Sequence, residues 1–122
     1  MTRKDLPNRR QCVTFETEWQ GHSIIVTVGK YADKERPWMP ARPGDVFTDL
    51  TKDGELAAIL DDAARAISIA MQYGAPPEVL SNAMGRVPVM EWDTETEAMV
   101  EVLRPASPLG AVVEAIMQEA KG

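Results

Sequence analysis

Only one cysteine, Cys12, and one histidine, His22, occur among the 122 residues. A lone thiol forms no internal disulfide, and with a lone imidazole it leaves half of a tetrahedral zinc site to carboxylates, an uncommon arrangement. No zinc and no other cofactor is therefore expected. Long apolar runs are missing too. Nothing approaches the ~20 residues of a membrane-spanning helix, and the opening Met-Thr-Arg-Lys-Asp-Leu-Pro has no apolar signal region. The expected compartment is the cytoplasm, which agrees with the sparse cysteine. Positive charge is in deficit, 13 Lys and Arg against 19 Asp and Glu, for a net charge of −6. Phosphate binding relies on clustered cations, so direct nucleic-acid contact is not expected. A phosphate-cradling loop is absent: Gly29-Lys30 has neither the preceding glycine spacing nor a following Ser or Thr.

What remains is an ordinary globular composition, 44% hydrophobic and 26% charged, in a length that suits one domain over 1–122. Residues 1–11 are polar and basic, with Arg3, Lys4, Arg9 and Arg10 around Pro7, and read as an arm. Cys12 to Trp19 alternates, with Val13, Phe15 and Trp19 on one face, as a half-buried strand does. Gln20-Gly21-His22 reads as a turn, and Ser23 to Gly29 as the second strand of an antiparallel hairpin, burying Ile24, Val26 and Val28. Residues 32–44 hold three prolines and suit a surface loop. A third strand is expected at Asp45 to Leu50.

The clearest helix spans Gly54 to Tyr73, with Leu56, Ile59, Leu60, Ala63, Ile67, Ala70 and Met71 recurring at the helical period and Gly74 ending it. A short helix follows from Pro77 to Met84. Residues 87–93 read as irregular, Thr94 with Glu97 as the capping box of a short helix bearing Met99, Val102 and Leu103, and Pro108 to Ala120 as a last helix capped by Ser107. AMVEV also suits a strand. The fold class expected is α+β: a three-stranded antiparallel sheet packed against a long helix, followed by shorter C-terminal helices in an 85–122 helical extension.

The segments LPNRR, TVGKY, GDVFTDL and DGELAAILDDAARAISIAMQYGAPPEVLSNAM, in that order, resemble the TSCPD domain. That domain lies toward the C-terminal end of many ribonucleotide reductases, chiefly the adenosylcobalamin-dependent class, and also occurs as stand-alone bacterial and phage proteins. The resemblance covers roughly residues 6–84, with ISIAMQYGAPPEVL its most specific stretch, and RPASPLGAVVEAI resembles the ending of the stand-alone members. Where larger reductases carry Thr-Ser-Cys-Pro-Asp, this chain reads Pro105-Ala106-Ser107-Pro108-Leu109, without the cysteine. Ribonucleotide reduction needs a radical-bearing cysteine, a reducing cysteine pair and a large barrel, which one thiol and 122 residues do not supply.

The resemblance therefore implies a non-catalytic accessory or binding module that acts through protein contacts, with a ribonucleotide reductase as the implied partner. Two other readings stay open. One is a phage or mobile-element regulator that sets an acidic surface against a nucleic-acid-handling enzyme. The other is a small nucleotide-binding protein or enzyme using Asp45 and Asp49 with Arg36 or Arg42. Partner contact is expected at Trp38 and Met39, flanked by Arg36 and Arg42, because large side chains in loops often anchor partners. Leu109, Val112, Val113, Ile116 and Met117 form a stripe that serves either a two-fold homodimer or closure of the monomer core. Cys12 reads as a buried or half-buried strand residue and His22 as a solvated turn residue.

Overall fold

A computed structural model describes residues 11–31, 41–50 and 54–121. Strands β1 (Gln11–Trp19), β2 (His22–Tyr31) and β3 (Arg42–Leu50) form an antiparallel sheet in the order β1-β2-β3. Gln20 and Gly21 both adopt positive φ, 47° and 80°, the two-residue turn whose twist matches that of a hairpin. Register sets Phe15 opposite Val26 and Val26 opposite Thr48, so one face of each strand turns inward together.

Two helices cover that face. Helix α1 (Gly54–Gln72) lies along β3, and α3 (Pro108–Lys121) packs on β1 and reaches β2, with α2 (Pro77–Ala83) against α3. The core joins Ile24, Val26 and Val28 of β2 and Val46 and Leu50 of β3 to Leu60, Ala64, Ile67 and Met71 of α1 and to Val112, Val113 and Ile116 of α3. Val13, Phe15 and Trp19 close its β1 side. Ser107 caps α3 as its sequence suggests, its Oγ accepting the Gly110 amide at 3.1 Å.

The free edge of β3 is occupied by side chains of α1. Buried Ser68 accepts the Val46 amide at 2.8 Å and donates back to the Ala64 carbonyl at 2.9 Å. One turn on, buried Gln72 donates to the Gly44 carbonyl at 3.1 Å and to Asp45 Oδ1 at 2.8 Å. An edge strand's polar groups are thus met by a helix where a fourth strand would have met them.

Four expectations are corrected. Residues 86–105 are not helical: β4 (Arg86–Asp93) and β5 (Ala98–Pro105) form a separate antiparallel pair, so the C-terminal extension is a hairpin followed by one helix. The Thr94–Glu97 pattern is a turn, not a capping box. Asp93 holds it by accepting the Glu95 amide and the Thr96 hydroxyl, both at 3.0 Å, and Glu97 takes a φ of 51°. The third strand begins at Arg42, three residues early, through the bulge opposite Gly29 and Lys30. On α1, Ile59 is 68% exposed, because the buried stripe runs through Leu60, Ala64, Ile67, Ser68, Met71 and Gln72.

Candidate functional site

The β4–β5 hairpin alternates large apolar and small or charged residues, and Val, Met and Trp suit a pleated ribbon. Cross-strand partners share a face, so the register sorts the side chains. Pro88 sits opposite Leu103, Met90 opposite Glu101 and Trp92 opposite Met99 on one face. Val87 opposite Arg104, Val89 opposite Val102 and Glu91 opposite Val100 form the other. The second face is largely half-buried, and its Val87, Val89 and Arg104 border a cleft shared with Trp19. The first is open, with Met90, Trp92, Met99 and Leu103 at 58%, 60%, 53% and 61% exposure.

Few contacts tie this hairpin down, and no residue of β4 or β5 is fully buried. Trp19 Nε1 donates to the Pro105 carbonyl at 3.2 Å, and Ala106 N donates to the Gly85 carbonyl at 2.9 Å. Arg86 reaches Ser81 Oγ at 3.2 Å and Glu114 at 3.5 Å. Between the hairpin and β1 opens a cleft of about 370 Å³ walled by Trp19, Val87, Val89, Arg104 and Pro105. An ion pair on its wall is internal to the hairpin: the Arg104 guanidinium grips Glu91 through two hydrogen bonds, one from Nε at 2.6 Å. Those hydrogen bonds hold the Glu91 carboxyl below its ordinary range and raise Arg104 above its own.

A second open surface is the outer face of the three-stranded sheet. Glu16 and Asp49 flank Ile25 on one rung, Thr14 and Phe47 flank Thr27 on the next, and Cys12 and Asp45 flank Gly29. Glu18 extends the face, and Phe47 is 55% exposed. The described basic side chains engage elsewhere: Lys30 with Glu119, Arg65 with Asp61, Arg86 with Glu114, Arg104 with Glu91 and Arg42 with the Gly74 carbonyl. Glu16, Glu18 and Asp49 thus stand on this face apart from the described basic side chains.

Arg36, Trp38 and Met39, where partner contact is expected, lie outside the described residues. Arg42 is exposed and turned to the end of α1, donating to the Gly74 carbonyl at 3.4 Å, while Asp45 is bound by Gln72 and Asp49 stands on the outer face. Arg42, Asp45 and Asp49 are not brought to one point, so the nucleotide constellation does not assemble among the described residues. Val112, Val113 and Ile116 are inside the monomer, with Leu109 packed on the same core and Met117 half-buried. This stripe closes the core and is not free for a two-fold contact. Cys12 is exposed, not buried, because its strand position faces outward. His22 is half-buried and stacks on Trp19, ring centroids 6.1 Å apart. No three His, Cys, Asp or Glu among the described residues gather where a metal ion would sit, and no described helix is long and apolar enough to cross a membrane.

Sequence reasoning missed the open hairpin face. Its signal was the alternation in VPVMEWD and AMVEVLR around a short acidic turn, hidden by Pro88 and by apolar residues on both faces.

Comparison with known proteins places these observations. The family model described as the TSCPD domain matches residues 1–119. The chain is 40% identical over 81 residues to the vitamin B12-dependent ribonucleotide reductase of Rhodopirellula baltica, covering 66% of this chain and 7% of that protein. It is 36% identical over 77 residues to that of Agrobacterium fabrum, covering 62% and 6%, and 32% identical over 75 residues to that of Bradyrhizobium diazoefficiens, covering 61% and 5%. The chain thus matches less than a tenth of the length of each of these relatives. No solved structure matches.

Proposed function

The chain belongs to the TSCPD-domain family, and from that premise we propose that it is a non-catalytic accessory module that works through protein–protein contacts in the company of a vitamin B12-dependent ribonucleotide reductase. The observation that carries the contact reading is the open face of β4–β5, where four large apolar side chains stand at more than half exposure on one ribbon. Contiguous apolar surface of this kind marks interaction sites, and tryptophan is prominent among the residues that dominate interfaces. The choice of a reductase as partner is supported by the relatives, in which the matching domain is a small part of a long chain. A single thiol at an exposed strand position supplies no electron-donating pair of its own.

The test is to mix the purified chain with a vitamin B12-dependent ribonucleotide reductase from the same genome and follow sedimentation velocity and turnover together. A complex at micromolar concentration with altered turnover supports the reading. No complex at 100-fold excess together with unchanged turnover overturns it.

One observation favours a second reading. Glu16, Glu18 and Asp49 share the open sheet face, which suits a regulator seated on a basic site of a nucleic-acid-handling enzyme. Binding of that kind weakens steeply with salt, whereas an apolar contact does not.

A further inference from the structure

We propose that the open face of β4–β5 is covered by the same face of a second copy of this chain, so that the module acts as a two-fold dimer. This rests on the contact reading above and names the occupant of that face. It also moves self-association from α3, whose stripe is consumed by the core, to the hairpin.

Three properties of the face select a second copy. Its area is adequate: taking a large apolar side chain as about 200 Å², Met90, Trp92, Met99 and Leu103 expose roughly 450 Å². Two such faces bury roughly 900 Å², and Pro88 with the stem of Glu101 brings the pair to the ~1,000 Å² that a specific interface requires. Its charge is low: Arg86 is engaged with Ser81 and Glu114, which leaves Glu101 as the charged side chain this face presents, so it offers little to a strongly charged partner. Its side chains pair across a two-fold axis. With the axis along the strands, Trp92 of one copy crosses Met99 of the other, a sulfur–aromatic contact, and Pro88 crosses Leu103.

The hairpin itself supplies the need. A two-stranded ribbon with no fully buried residue is marginal in water. Stacking two of them makes a four-stranded sandwich whose apolar faces cover one another.

Sedimentation equilibrium of the full chain from 1 to 200 µM tests this. The expected result is a shift from 13.4 kDa toward twice that mass. Added salt should tighten the dimer, because it screens the net charge of −6 on each copy without weakening an apolar contact. Trp92→Glu and Leu103→Glu should each weaken association at least tenfold while leaving the melting temperature of the dilute monomer unchanged. A monomer at 200 µM overturns the dimer, and so does a dimer indifferent to both substitutions. Loss of reductase binding in Trp92→Glu with no self-association at any concentration assigns the face to the reductase and also overturns it. The reductase reading is measured separately in the mixture, so either can fail alone.

Discussion

Replacing Ser68 by alanine deletes the acceptor of the Val46 amide without touching the apolar packing of α1. Val46 N points away from β2 and has Ser68 Oγ at 2.8 Å, inside a region where Ser68 is 8% exposed and Val46 2%. A buried donor left without an acceptor costs about 1–3 kcal/mol. Alanine returns about 0.5 kcal/mol through its better helix propensity, leaving a net loss of about 0.5–2.5 kcal/mol. For a domain of this size each kcal/mol moves the melting temperature by about 3–6 °C, so calorimetry should find a fall of roughly 2–15 °C. Hydrogen exchange gives the local readout: the Val46 amide should lose protection before the amides of β2, whose core residues are covered by both helices. A Ser68→Ala protein that melts within 1 °C of the parent with unchanged exchange at Val46 would refute the edge-covering role.

Other outcomes follow from burial and charge. Ile67→Asp should destabilise by more than about 4 kcal/mol and unfold the domain, because it buries an unpaired charge between sheet and helix. Ile59→Asp, eight residues earlier on the exposed side, should change denaturation by less than about 0.5 kcal/mol. Thr48 Oγ1 is buried with no partner among the described residues, so Thr48→Val should leave stability unchanged or raise it by up to about 1 kcal/mol in a urea titration. For Glu91, the folded carboxyl titrates below its unfolded value of about 4.3. Its pairing with Arg104 therefore stabilises the hairpin above that value and is lost as pH falls through the folded one. Carboxyl NMR should show this depression, and Arg104→Gln should return the titration to the ordinary range.

Much of this architecture is legible in the residues themselves. Alternation in CVTFETEW and the β-branched run SIIVTVG demand an apolar cover, and the structure sets Ile24, Val26 and Val28 where that demand places them. Periodicity places the α1 stripe one position off at Ile59 because two polar residues, Ser68 and Gln72, belong to the buried side. Hydrophobic periodicity does not register a serine whose task is to receive a backbone amide. The hairpin resembles loop and helix in sequence for a related reason. Val89, Val100 and Val102 lie on one face of the ribbon and Met90, Trp92 and Met99 on the other, so both sides carry apolar residues and the period of two is blurred. Thr94 and Glu97 carry a helix-start pattern, but Asp93 folds them into a turn. The open face was hidden because exposure is a property of what else packs nearby, and alternation alone does not say which side is left uncovered.

The two side chains that α1 lays along β3 also bear on how the protein behaves when crowded. A sheet that can recruit strands at both edges is a bifunctional monomer in the sense of step-growth polymerisation, and its products lengthen without limit. With Ser68 on Val46 and Gln72 on Gly44, the β3 side of the three-stranded sheet is end-capped. Strand addition on that side first requires α1 to peel away, taking Leu60, Ile67 and Met71 out of the core. The barrier to fibrous assembly at this edge is therefore set by the stability of the whole fold, and a substitution that loosens α1 uncaps a growing end as well as weakening the domain.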